Sequence, residues 1–120
     1  MNIDLKGLRS LELEDGLINY WPTDPSNFSC WIRAMIGPND QDGAECFDML
    51  VCTPIWLQGE LATNKVLSGR GMIIVEKYNY DQIVIYLEKL IATCNDNDWS
   101  QTALKLSRFS FWEYEDYQPR

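Results

Sequence analysis

The chain contains no histidine, and this narrows its chemistry more than any other feature. Without imidazole there is no Ser-His or Cys-His nucleophile pair and no imidazole metal ligand. Four cysteines stand at 30, 46, 52 and 94, none in a C-x-x-C pair. A thiolate zinc site would have to gather all four from scattered positions, so no metal is expected. Three of the four lie in apolar strand-like runs, where a free cysteine behaves as a small hydrophobe. The glycines of "SGRG" (68–71) lack the lysine and spacing of a phosphate loop. Carboxylates remain, and a close pair of them could do acid–base work. Here they gather in turns and near the chain end, where carboxylates are usually solvated. The chain reads as a non-enzyme without a cofactor, a protein that binds.

The carboxylates form three groups. "ELED" (12–15) follows the first strand-like run. "NDQDGAE" (39–45) supplies Asp40, Asp42 and Glu45. The closing "FWEYEDY" (111–117) places Glu113, Glu115, Asp116 and Tyr117 beside three further aromatics. Aromatics flanked by charge are the material of interface hot spots. They also suit an edge strand whose charges discourage sheet-to-sheet aggregation. Asp40, Asp42, Glu45, Glu113, Glu115, Asp116 and Tyr117 are therefore the candidate partner-binding residues. Trp31, Arg33 and Met35 form a second candidate set, provided that helices do not cover both faces of the sheet that carries them.

These groups need elements to position them. "FSCWIRAMIG" (28–37) and "AECFDMLVCT" (44–53) alternate like strands and flank "PNDQDG" (38–43), whose residues have turn chemistry throughout. Closed symmetrically, this hairpin sets Ala34 opposite Phe47, Ile32 opposite Met49 and Cys30 opposite Val51. On its other face Arg33 meets Asp48, Trp31 meets Leu50 and Met35 meets Cys46. A slip of one residue would destroy both matches. Residues 2–13 read as a first strand and 20–27 as a loop. Thr53 and Pro54 open a short helix or turn over 53–64. "RGMIIVEKY" (70–78) reads as a strand whose Met72–Val75 run is buried on both faces. Residues 79–94 form the best helix, capped by Asn79 or Asp81. Its apolar stripe is Ile83, Val84, Leu87, Leu90, Ile91 and Cys94. An Asp98 cap opens a second helix with Trp99, Ala103 and Leu106 on one side. A last strand over 109–117 enters the core at Phe109–Trp112 and leaves it by Glu115. The expected fold is α+β, a mostly antiparallel sheet with two or three helices packed on it, in a single domain over residues 1–120.

The 120 residues carry 18 acidic against 10 basic side chains, a formal charge of −8. Such a surface repels nucleic acid and anionic lipid and attracts basic proteins. The start of the chain lacks the pattern of a signal peptide, and no run approaches the ~18 apolar residues of a membrane span. Reduced, buried cysteines suit a cytoplasm.

The residues also resemble a known family. Ile36-Gly37-Pro38, Phe47-Asp48, Cys52 through Leu57, Glu76 through Asp81 and Trp112 through Tyr117 are similar to motifs of the immunity protein 8 family of bacterial polymorphic toxin systems. The resemblance covers most of the chain after residue 20. It implies a cytoplasmic α+β protein that binds the C-terminal domain of a secreted or contact-delivered toxin, one to one, and neutralises it. The toxins of such systems are often nucleases, whose basic clefts an acidic inhibitor would complement. Toxin-contacting residues of immunity proteins tend to vary, which favours the loop 39–45 over the aromatic terminus. The alternative is an acidic adaptor that binds a basic protein with no toxin role. Neither reading requires nucleic acid, membrane or an obligate homo-oligomer.

Overall fold

The computed structural model describes residues 2–13 and 16–115. Five strands and three helices follow in the order β1 (Ile3–Ser10), β2 (Ser29–Pro38), β3 (Glu45–Cys52), α1 (Pro54–Asn64), β4 (Met72–Ile74), α2 (Tyr80–Cys94), α3 (Trp99–Leu106) and β5 (Phe111–Trp112). A 3-10 turn at Leu17–Asn19, not anticipated from the sequence, buries Leu17 completely. The fold is α+β, and all the strands belong to one sheet.

The hairpin of β2 and β3 organises this sheet. Its register pairs Cys30 with Val51, Ile32 with Met49 and Ala34 with Phe47, as the turn chemistry and the alternation dictate. On the other face Arg33 lies opposite Asp48, and its guanidinium donates to both carboxylate oxygens at 2.8 and 3.0 Å. That bidentate bond holds the Arg33 proton above the ordinary arginine range. β1 pairs antiparallel with β2 and carries a bulge between Leu5 and Gly7.

β3 is the centre of the sheet, and its second edge is divided. β4 pairs parallel with Leu50–Cys52, whereas β5 pairs antiparallel with Phe47 and Asp48. Sharing one eight-residue strand leaves both partners short. Two expectations are corrected here. Residues 70–78 were expected to be a strand, with its Met72–Val75 run buried on both faces. Only Met72–Ile74 pairs, and Ile73 is buried while Ile74 is 58% exposed at the sheet edge. The closing strand, expected over 109–117, covers two of the described residues, Phe111 and Trp112, and positions 116 and 117 lie outside them. Ser110 and Trp112 turn inward, and Phe109 and Phe111 stay exposed.

The core lies between one face of the sheet and helices α2 and α3. Cys30, Ile32, Ala34, Ile36, Phe47, Met49 and Val51 meet Ile83, Leu87, Leu90, Ile91 and Cys94 of α2, and Ala103 and Leu106 of α3. Each helix starts where a short polar side chain satisfies an orphan N–H. Thr53 accepts from Trp56, Asn79 from Gln82 and Asp98 from Gln101. Burial pushes the thiols of Cys30, Cys52 and Cys94 above their ordinary range. None of the four cysteines is in a disulfide.

Candidate functional site

The structure brings two of the three acidic groups together. β5 runs antiparallel beside the start of β3, so the closing segment lies against the strand that leaves the 39–44 turn. Their residues are adjacent in space yet unequal in chemistry.

Glu45 is committed to the fold. Its carboxylate accepts the indole N–H of Trp99 at 2.5 Å and that of Trp112 at 2.9 Å. Two residues along the same strand, Phe47 is fully buried between the same two rings. It stacks on Trp112 with centroids 6.2 Å apart and meets Trp99 edge-on at 6.1 Å. Alternation puts Glu45 and Phe47 on one face of β3. One apolar and one anionic side chain thus clamp both indoles, satisfying donors that burial would otherwise orphan.

Glu113 is half committed. Its carboxylate accepts the Cys46 N–H at 2.8 Å, and its own N–H donates to the Cys46 carbonyl at 3.1 Å. This finishes the edge of β3 where β5 ends. Glu115 pairs with Arg70. The same guanidinium donates to the carbonyls of Ser107 and Ser110, each at 3.1 Å, and lies 4.6 Å over the Phe111 ring. Arg70 therefore ties the α3–β5 connection to β4.

Asp40 and Asp42 stand exposed on the turn with no ion pair among the described residues. The turn that holds them is tied to β1. Lys6 Nζ donates to the carbonyls of Gln41 and Gly43 at 2.5 and 2.8 Å. The Asn39 N–H donates to the Asn2 carbonyl at 2.9 Å. The fixed turn presents the two carboxylates beside a cleft of about 160 Å³ that Asp42, Glu45 and Trp99 help to line. Asp116 and Tyr117 lie outside the described residues, as do Glu14 and Asp15 of the first acidic group. Glu12 sits just past Ser10, at the end of β1 remote from the turn.

The second candidate set is accessible. α2 and α3 pack on the opposite face. Trp31 is 41% exposed and meets Phe111 with ring centroids 6.0 Å apart. Arg33 and Met35 are half-buried beside it. No group of histidine, cysteine and carboxylate side chains suited to a metal occurs among the described residues.

The acids of the turn and the Arg33–Asp48 pair were legible in the sequence. The anchoring roles of Lys6, Glu45 and Arg70, whose partners lie 35 to 67 residues away along the chain, were not. The family model described as Immunity protein 8 matches residues 4–117. No curated protein and no solved structure matches the chain.

Proposed function

Because the chain belongs to the Immunity protein 8 family, we propose that it binds the C-terminal domain of a cognate toxin, one to one in the cytoplasm, and neutralises it. The family match over residues 4–117 carries this reading. The excess of acidic side chains supports a toxin with a basic surface, in keeping with a nuclease whose cleft holds phosphates. Asp40 and Asp42 are the primary contacts, because both are exposed, held on a pinned turn and uncommitted within the fold. Glu113, Glu115, Asp116 and Tyr117 extend the contact along the closing segment. Glu45 contributes by holding the turn and the closing segment together.

The test is co-expression with the C-terminal domain of the protein encoded immediately upstream. The expected outcome is restored growth and a co-purified one-to-one complex. D40N/D42N weakens that complex about tenfold at low salt and flattens its salt dependence. A toxic neighbour that this chain neither binds nor neutralises would overturn the reading and favour the acidic adaptor.

A further inference from the structure

β1 is an edge strand. Among the described residues it pairs with β2 on one side and with no strand along most of the other. Within them only its far end is covered, by the isolated bridge between Arg9 and Gly16. The hydrogen bonds at its two ends fix which main-chain groups point where. The Asn2 carbonyl accepts from Asn39, and the Leu11 N–H donates to Trp31, so both face the hairpin side. Antiparallel alternation then directs the N–H and C=O groups of Ile3 and Leu5 away from β2. The side chains of these two residues, with that of Leu8, pack against the core.

That outward edge faces solvent, though not on a flat surface. It forms one wall of a groove whose other wall is α2. Three adjoining clefts of about 360, 580 and 200 Å³ run along it from Asn2 to Leu8. On α2 the wall is the stripe Tyr80, Val84, Glu88 and Ile91, one residue per helical turn. An unpaired strand edge along a helix-walled groove is the geometry by which sheets accept an added strand from another chain. Edge strands are commonly guarded by a lysine or a bulge. Here Lys6 is engaged by the turn carbonyls, and the bulge lies beyond Leu5. The stretch Ile3–Leu5 keeps a regular register.

Charge identifies the occupant. The rims carry Asp4 and Glu88, both exposed and without an ion pair among the described residues. Asn39 stands at the mouth, so the groove runs directly into the acidic turn that holds Asp40 and Asp42. We propose that this groove receives an extended, basic strand of the toxin domain, which pairs with the outward main-chain groups of Ile3 and Leu5 and sets cationic side chains against Asp4 and Glu88. This docking mode rests on the immunity reading above. It adds a main-chain ladder to an interface that would otherwise be read as charge alone.

The experiment is amide hydrogen exchange by NMR on the full chain, free and bound to the upstream-encoded C-terminal domain, together with the affinity of D4K/E88K. The Ile3 and Leu5 amides exchange freely in the unbound chain and slow by about a hundredfold or more in the complex. D4K/E88K keeps the fold, because both sites are exposed, and binds about tenfold or more weakly. If the complex forms and neutralises while those amides stay unprotected and D4K/E88K binds within about twofold of the parent, the groove is not the docking site and the immunity reading stands. If the amides of the free chain are already protected in a concentration-dependent manner, a second copy occupies the groove and the proposal fails. If no complex forms at all, both readings fall together.

Discussion

Replacing Glu45 with alanine tests whether this carboxylate is part of the scaffold or of the binding surface. It accepts two indole N–H donors, Trp99 at 2.5 Å and Trp112 at 2.9 Å. A hydrogen bond to a charged acceptor contributes about 1.5–3 kcal/mol when fully buried. Glu45, Trp99 and Trp112 are all half-buried, so water can reach part of what the substitution frees. Halving each bond for that access gives a loss of about 2 kcal/mol for the pair. With a urea dependence of about 1.5 kcal/mol per molar, the unfolding midpoint should fall by about 1.3 M. The two indole N–H resonances should move together toward the positions of solvated indoles. Glu45→Gln keeps one acceptor oxygen and turns an N–H group toward the second indole, so its midpoint should lie between parent and alanine variant. Under the same urea titration D40N/D42N should match the parent, because neither aspartate has a side-chain partner among the described residues. An E45A midpoint within about 0.3 M of the parent, with unmoved indole resonances, would refute the scaffold role. Glu45 would then rejoin Asp40 and Asp42 as a contact residue.

Two further outcomes follow from the packing. Gly71 has φ 75°, and a Cβ there would lie 2.5 Å from Cε2 of Phe111, so Gly71→Ala should cost about 2–4 kcal/mol in a denaturant titration. Gly43 has φ 88° with open space around it, and Gly43→Ala should cost only about 1 kcal/mol of backbone strain; equal losses at the two sites would show that Phe111 yields freely. In alkaline solution the chain should lose stability. Burial holds the thiols of Cys30, Cys52 and Cys94 above their ordinary range and pushes the Tyr78 hydroxyl up to about 12. These groups stay protonated in the fold while the unfolded chain ionises, so the unfolded state binds fewer protons. Stability is therefore full below about pH 8, declines as the unfolded thiols and then the tyrosine ionise, and keeps falling until about pH 12. Equilibrium unfolding across pH 7–11 reads this directly, and a flat profile would contradict it.

Local chemistry alone determined a good share of this protein. The β2–β3 register was legible because turn residues, alternation and one opposite-charge pair all select it, and all three lie within 26 residues of chain. The caps Thr53, Asn79 and Asp98 were legible because a cap acts across three residues. The stripe of α2 showed because helical periodicity is written into every turn. The acidic excess, too, is a sum that needs no fold. What the tertiary structure decided is which carboxylates are free. Glu45 and Asp42 look alike in sequence. Only the return of α3 and β5 brings two indoles onto Glu45, across 54 and 67 residues, and leaves Asp42 in solvent. The length of the closing strand was likewise hidden. It depends on how much of the β3 edge β4 has already taken, and strand pairing at that separation leaves no local pattern. The groove beside β1 has the same origin. The sequence marks residues 2–13 as a strand, but a strand becomes an edge only when the whole sheet order is set, and α2 becomes its neighbour only when the core closes beneath it.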